Sequence, residues 1–435
     1  MLSKTFCSSP WFHSRITYSG DYEECRWYKK SNSEPINIKQ TSLVEFHNSE
    51  RMRSLRTDLL NGKSPAGCDT CYYEDGFGKL SGRQRQLLKS GIRETDFALA
   101  TRSSPHYRHF LHTWQNSGET DLAPVDLQID LGNICNSACI MCNPESSSRL
   151  HTEYKTLHKL NPLFADPPPV DLWTQDADTL EKFITELIAI PNIKYIHFLG
   201  GETLYDPAFY TICERLIAAG VSRDIIVGTT TNGTIYDERV EQLVTQFKEF
   251  HLGISIESVT ELNDYIRYPG KITTILPNID RFLELRSTAP LFVSLRVTPN
   301  VFTISELDQI IRYMIDRNVI LESCNILFTP ACLKIELVPE DIRLQTIAKL
   351  ETIIQEYNLV KTGQANIRMA SAISSVIADT VIDYCKFMKE YTVPADAETL
   401  RYQLVDFIKT FETSRTNRIL DYVPNYEQFL RNYGY

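Results

Sequence analysis

No uninterrupted apolar stretch in this 435-residue chain approaches the ~20 residues that cross a bilayer, so no membrane partner is expected. The opening string MLSKTFCSSPWF lacks the basic start and apolar core of an export signal, which makes the cytoplasm the expected compartment. Positive charge is in short supply: 45 Lys and Arg stand against 55 Asp and Glu, a net charge of −10. Nucleic-acid backbone rewards clustered Lys and Arg, so nucleic acid is not an expected partner. The one basic stretch, TRSSPHYRHFLHTW at 101–114 with Arg102 and Arg108, reads as well as a solvated linker helix. No internal repeat is visible.

Cysteine is not scarce. Eleven cysteines in a chain of this expected compartment argue for metal or redox work rather than disulfides. The densest group is Cys135, Cys139 and Cys142 in NICNSACIMCNP, spaced C-x3-C-x2-C directly after the strand-like run DLQIDLG. Three thiolates on one loop hold three irons of a cubane cluster and leave the fourth iron without a protein ligand, whereas electron-transfer cubanes are closed by four cysteines. An open iron binds and reduces a ligand, most often S-adenosylmethionine. The triplet therefore points to radical chemistry. Structural zinc is the rival reading, but it wants four ligands and usually paired C-x2-C knuckles, and no fourth Cys or His lies nearby.

The 43% hydrophobic content suffices for two or three domains. Residues 1–120 read as a small irregular module and linker. RITYSG (15–20) and EECRWY (23–28) look like two short strands around a turn at Gly20 and Asp21. A helix follows over 42–61 with Ser42 as N-cap and Gly62 as stop. GCDTCYYEDGFG (67–78) reads as loop, and a second helix runs through the eighties. Over 121–335 strands alternate with helices: strands at 126–132, 193–199, 224–230, 250–257, 291–298 and 325–329. One helix opens at Asp206-Pro207 and ends at Gly220; another opens with Thr303-x-x-Glu306, a capping box. Such β/α units make a parallel sheet curled into a partial (β/α)6 TIM barrel, with chemistry at the carboxyl ends of the strands. NPLFADPPPVDL (161–172) reads as an exposed, lid-like insertion. Residues 336–435 are expected to be a helical region, with Leu400, Leu404, Phe407, Ile408 and Phe411 on one apolar stripe.

Every further motif falls after a strand. FLGGET supplies Gly200 and Gly201, which let the backbone approach a ligand closely, and Glu202, which can accept from an ammonium group. TTTNGT supplies Asn232 in a turn. In GISIES, Ser255 and Glu257 share one side of their strand. Arg267 in DYIRYPG can clamp a carboxylate with paired donors. Arg296 or Asn300, at the end of the fifth strand, can meet a nucleoside or fill the core. Cys332 and Asp264 are candidate hydrogen or proton donors, and Cys332 reads equally as a buried structural cysteine.

The order CxxxCxxC, GGE, TNG, S-x-[DE], R resembles the radical S-adenosylmethionine (radical SAM) superfamily over roughly 126–330. SIESVTELNDYIR resembles the family segment SxDGxxxxHDxxR at Ser255, Asp264 and Arg267, and departs from it at Glu257, Ser258 and Asn263. The resemblance implies a 4Fe–4S cluster on Cys135, Cys139 and Cys142 that chelates S-adenosylmethionine by its amine and carboxylate. Reductive cleavage then gives methionine and a 5′-deoxyadenosyl radical that abstracts a substrate hydrogen. By the same analogy Glu202 holds the amine, and Ser255 with Arg267 the carboxylate. An electron donor such as flavodoxin or ferredoxin is implied.

Cys7, Cys25, Cys68 and Cys71 form a second set. Four thiolates complete a cluster with no open iron; they also suit a structural zinc. The C-x(9–15)-G-x4-C element resembles the twitch half of SPASM auxiliary domains, here placed before the barrel. That resemblance implies an auxiliary 4Fe–4S cluster able to accept an electron from a substrate radical, and a peptide or protein side chain as substrate. A small metabolite (sugar, amino acid or nucleoside) is the alternative substrate, and a non-catalytic iron–sulfur carrier or scaffold the alternative function.

Overall fold

The computed structural model describes residues 3–29, 34–76, 81–92, 107–360 and 370–435; residues 101–106 of the basic stretch lie outside them. Its centre is one eight-stranded sheet in the order β2-β1-β3-β4-β5-β6-β7-β8. The strands are β1 (His13–Ile16), β2 (Tyr22–Glu23), β3 (Asp126–Asp130), β4 (Tyr195–Leu199), β5 (Ile226–Thr231), β6 (Glu249–Ser255), β7 (Leu291–Val297) and β8 (Ile320–Cys324). Strands β3 to β8 are parallel neighbours in chain order, with helices between them, which is the partial barrel expected. The last strand sits at 320–324 rather than 325–329.

The front hairpin is not a separate sheet. β1 pairs antiparallel with β2 and parallel with β3, Arg15 opposite Gln128, so the first module extends the barrel sheet by two strands. Gly20, at φ +86°, makes the hairpin turn, a conformation that glycine reaches without Cβ strain.

The alternation of residues along the strands sets two unlike faces. Ile196 and Phe198 face the helices; Phe198 meets Phe209 of the helix Pro207–Ala218 edge-on at 5.2 Å. Tyr195 and His197 take the opposite face, which lines the barrel interior. On β3 the same rule sends Leu127 and Ile129 outward and Asp126, Gln128 and Asp130 inward, all of them buried. Buried polar groups need partners, and Arg15 supplies one to Asp130 at 2.5 Å.

Several local expectations fail for identifiable reasons. The predicted helix 42–61 is two, Leu43–His47 and Glu50–Leu60. Ser42 forms the capping box with Glu45, and Ser49 caps the second piece by accepting from the Met52 N–H; a second N-cap serine interrupts what apolar spacing alone joins. GCDTCYYEDGFG is not loop: Asp69–Gly76 is helical, after a 3-10 turn at Ala66–Cys68. The capping box at 303–306 does not form. That segment is a 3-10 turn before the helix Leu307–Arg317, and the Glu306 carboxylate accepts from Ser258 and Thr260 instead. The insertion 161–172 is no loose lid. Phe164 is buried and stacked on Phe407 at 5.1 Å, and Asn161 donates to Thr410 at 2.9 Å, which fastens the C-terminal helix Ala397–Ser414 to the barrel. The aromatic tail is also packed: Tyr426 is fully buried and donates to the Val301 carbonyl. Among the described residues, no helix is long and apolar enough to cross a membrane.

Candidate active site

The loop after β3 carries the cysteine triplet, and it is pinned from several sides. The Ala138 N–H donates to the Tyr268 carbonyl at 2.6 Å and the Ile140 N–H to the Ile266 carbonyl at 3.0 Å. Ser147, N-cap of the helix Ser148–Leu157, donates to the Ser137 carbonyl at 2.5 Å. The loop is thus hydrogen-bonded like a strand to the segment that holds Arg267.

The GGE and TNG turns are tied to each other and to this loop. Glu202 Oε1 accepts from the Leu204 N–H at 3.2 Å and from the Thr231 hydroxyl at 2.5 Å; its Oε2 accepts from the Asn232 N–H at 2.6 Å. The Asn232 side chain donates to Asn136 at 2.7 Å and to Ser137 at 2.9 Å. Gly201 lies so close under the cysteine loop that an added Cβ would stand 2.4 Å from the Ile134 carbonyl oxygen. The sequence placed these glycines for approach to a ligand; their immediate neighbour is the cysteine loop itself.

Together these elements enclose a cavity of about 240 Å³ whose lining includes Cys135, Cys139, Cys142, Gly200, Gly201, Glu202, Asn232, Ser255 and Arg267. Glu257 stands behind Arg267 and is almost fully buried. It accepts from Arg267 Nη2 at 2.6 Å and from the Thr298 N–H at 2.6 Å. Burial raises the Glu257 carboxyl, opposed by Arg267. Burial works to lower the Arg267 guanidinium, but Glu257 and Cys139 more than offset it and hold it above its ordinary value. Its Nη1 reaches Cys139 Sγ at 4.0 Å, and its buried Nε has no partner.

The remaining candidates lie elsewhere. Arg296 is turned to Glu322 as an ion pair in the barrel interior and is not among the residues lining the cavity. Asn300 caps its own turn, accepting from the Phe302 N–H at 3.0 Å, while its side-chain amide reaches Met141 Sδ of the cysteine loop at 3.9 Å. Asp264 accepts from the Ile272 N–H at 2.6 Å and pairs with Lys271 at 3.1 Å. Cys332 is buried in the 3-10 turn Ala331–Leu333 and does not line the cavity either.

Arg415 is a residue that sequence reasoning missed. It follows the last residue of the helix Ala397–Ser414, where an arginine reads as an exposed helix end. Instead it is buried, pairs with Glu153 at 2.6 Å, and donates to the Ala138 carbonyl at 2.7 Å. Its guanidinium lies over the rings of Phe411 and Tyr268 at 4.1 and 4.8 Å. No local pattern signals a contact that spans 277 residues.

Burial pushes the Cys135 and Cys142 thiols up to about 12, with the charge of Cys139 adding to it; burial also raises Cys139, opposed by Arg267. Three half-buried thiols that resist ionising one at a time, yet share one cavity, suit a cationic metal group that takes them as thiolates together. The four front cysteines behave alike. Cys7, Cys25, Cys68 and Cys71 line a single enclosed pocket with Trp27, Tyr28 and Tyr72. Burial raises all four, Cys25 and Cys68 to about 12. The helix Asp69–Gly76 explains the convergence, because C-x2-C at a helix start sets Cys68 and Cys71 on one side. Among the described residues, no three Cys, His, Asp or Glu side chains are placed to hold a single metal ion.

Glu202 carries a pH signature. Burial raises its carboxyl from 4.5 to about 7, against three hydrogen bonds that favour the charged form. The folded state then binds the proton more tightly than the unfolded chain. This contribution to stability is greatest at and below the ordinary carboxylate range and is lost as pH rises toward 7. In urea unfolding of the metal-free protein from about pH 5 to about pH 7, the midpoint is expected to fall more steeply for wild type than for Glu202→Gln. Equal slopes would contradict the assignment.

Residues 129–314 match the radical SAM superfamily. No curated protein sequence matches the chain. Among solved structures, native anSMEcpe with bound AdoMet is similar at 16% identity and a TM-score of 0.37, over 54% of this chain and 62% of that one. Streptococcus suis SuiB bound to S-adenosylmethionine is similar at 12% identity and a TM-score of 0.37, over 82% and 71%. TYW1 with a lysine-pyruvate adduct bound is similar at 16% identity and a TM-score of 0.27, over 50% and 70%. The chain thus spans less than two thirds of the length of anSMEcpe, and scores of this size carry no inference about activity.

Proposed function

From the premise that residues 129–314 form a radical SAM enzyme domain, we propose that the protein abstracts a hydrogen from a peptide or protein side chain. We assign residues 1–120 to the auxiliary module, 121–335 to the barrel and 336–435 to the helical region. When bound, S-adenosylmethionine and its 4Fe–4S cluster supply a 5′-deoxyadenosyl radical, and a closed 4Fe–4S cluster in the front pocket supplies an electron acceptor. Cys135, Cys139 and Cys142 hold the first group and Cys7, Cys25, Cys68 and Cys71 the second.

The chain's own residues bind and orient. Glu202 presents its buried carboxyl beside the cysteine loop for the amine. Ser255 and Arg267 serve the carboxylate, with Glu257 fixing the guanidinium plane. The turns 200–202 and 231–234 and the tight cysteine loop exclude water. A reductant such as flavodoxin or ferredoxin supplies the electron, and the cytoplasm is the working compartment.

The observation that carries the peptide reading is the four-cysteine pocket, built on a hairpin that extends the barrel sheet next to β3. Four cysteines around one pocket lined by Trp27, Tyr28 and Tyr72 support a cluster there. The test is anaerobic reconstitution and reduction, followed by assay of 5′-deoxyadenosine with S-adenosylmethionine. Release is expected, with an iron count exceeding one cubane and no stoichiometric zinc. Stoichiometric zinc would overturn the acceptor role, and absence of release would overturn the enzyme reading in favour of a carrier.

A further inference from the structure

A closed β/α barrel fills its interior with layers of bulky side chains. Here the interior-facing positions of β5, β6 and β7 include Gly228, Thr230, Gly253, Ser255 and Ser294, all of them small. The exposure pattern follows. On β4 the outward Ile196 and Phe198 are fully buried, while the inward Tyr195, His197 and Leu199 are only half-buried. The interior is therefore a chamber rather than a packed core. The cysteine cavity forms its upper rim, because Leu199, Thr230 and Ser255 line that cavity.

One ion pair stands in this chamber. Arg296 is the ladder partner of Ser255, so its backbone lies one strand spacing, about 4.8 Å, from a residue that lines the cavity. Its side chain runs across β6. A Cβ on Gly253 would stand 2.5 Å from Arg296 Nε and 2.9 Å from Glu322 Oε2, and only glycine leaves that lane open. Arg296 Nε donates to Glu322 Oε2 at 3.0 Å, and Nη2 donates to Oε1. Ser294 donates to the same Oε2 at 2.8 Å. Glu322 thus grips one edge of the guanidinium. A guanidinium carries five N–H donors in a rigid fork, so a carboxylate on the Nε edge leaves a second two-donor edge, Nη1 with Nη2, facing away from it. Nη1 makes no hydrogen bond to the described residues, and the Arg296 and Glu322 side chains are 21% and 34% exposed.

Neighbouring charges are committed. Arg15 divides its guanidinium between Glu23 at 2.6 Å and Asp130 at 2.5 Å. Lys89 pairs with Asp126 at 3.1 Å and lies over the Tyr195 ring at 4.6 Å. His197, hydrogen-bonded to Tyr195 at 3.1 Å, is neutral: burial, then the charge of Arg296, push it down to about 3. The open edge of Arg296 matches a planar oxyanion with two acceptor atoms, which is a carboxylate. The Arg296–Glu322 pair sums to zero and Arg15 sits between two carboxylates, so one added negative charge suits the chamber better than the two of a phosphate. Arg296 does not line the cysteine cavity, so the group bound there does not claim this edge.

We propose that the Arg296–Glu322 pair is a substrate anchor: Glu322 holds the guanidinium by one edge, and the open edge takes a carboxylate of the substrate beside the cofactor cavity. The inference rests on the radical reading and deepens it: the substrate is anionic at its anchored end, either as an acidic side chain of a peptide or as a free carboxylic acid. Calorimetry on the reconstituted enzyme with S-adenosylmethionine tests it. The probes are glutarate and an N-acetylated, C-amidated peptide with one central glutamate, each against its neutral amide counterpart. An anionic probe is expected to bind and its neutral counterpart not. Arg296→Gln is expected to weaken that binding by about tenfold or more. Glu322→Gln is expected to bind the anion at least as tightly as wild type, because the amide oxygen still accepts from the guanidinium and a competing negative charge is gone. A pair that only braced the barrel would lose binding in both variants alike. Arg296-dependent binding of glutarate without the peptide assigns a metabolite, and the reverse a peptide; either supports the proposal. Equal binding of charged and neutral probes, no binding of any probe, an Arg296→Gln protein that binds like wild type, or equal losses in the two variants overturns it. Arg296-dependent binding by a protein that releases no 5′-deoxyadenosine would sink the radical reading and leave this site standing.

Discussion

Alanine at Cys135, Cys139 and Cys142 together removes about four irons per chain and abolishes release of 5′-deoxyadenosine, while iron in the front pocket stays. Alanine at Cys7, Cys25, Cys68 and Cys71 does the converse: the front iron is lost, and reductive cleavage of S-adenosylmethionine persists. The physical basis is that the two sets are separate. The triplet and the front four line different cavities. Aromatic and apolar residues of the front module, among them Phe6, Trp11 and Phe110, form a small core of their own. A cluster with only three thiolates has no spare ligand, so loss of even Cys135 alone is expected to lower iron retention sharply. Iron counting with electron paramagnetic resonance of the reduced protein checks both halves. Retention of the full iron complement and of activity in the triplet variant would end the present assignment of the open-iron site.

The second large effect is expected at Arg415. Arg415→Met keeps the side-chain volume but leaves the Glu153 carboxylate only the Ser414 hydroxyl and takes a donor from the Ala138 carbonyl, beside Cys139. Removing one partner of a buried ion pair costs about 3–5 kcal/mol. With Glu153 itself 13% exposed, water offsets part of that, and about 3 kcal/mol is the expected loss in urea unfolding of the metal-free protein. Replacing both partners, Arg415→Met with Glu153→Leu, is expected to recover part of it, because no charge is then left unpaired. The same clamp holds the cysteine loop from outside the barrel, so the Arg415→Met protein is expected to surrender iron to a chelator faster than wild type. An unchanged urea midpoint together with unchanged iron release would show that Arg415 does not hold the loop.

Arg415 was invisible in the linear string. It sits in TSRTNR, and nothing in that stretch separates it from an ordinary exposed arginine, whereas packing buries it. Glu306 shows the converse error. Thr303-x-x-Glu306 has the letters of a capping box, yet the glutamate serves Ser258 and Thr260, two hydroxyls after β6. A hydrogen-bond acceptor goes to the best donors in space, and only part of that space is local in sequence. The helix Asp69–Gly76 was obscured by glycines at both of its ends, which read as loop although the intervening DTCYYED carries none.

What the amino-acid order determined by itself was the succession of β/α units and the residues at their carboxyl ends. Strand alternation, N-caps such as Asp206 and a stop such as Gly220 act within a few residues of themselves. The cysteine triplet, GGE and TNG therefore had to arrive at one rim of one parallel sheet. Tertiary packing alone decided that β1 joins β3, that the four front cysteines share a pocket, and that Arg267 leans on Glu257 while Arg415 clamps the triplet loop. Those outcomes depend on which distant segments exclude water from one another and which buried charges find partners, and no local periodicity encodes that competition.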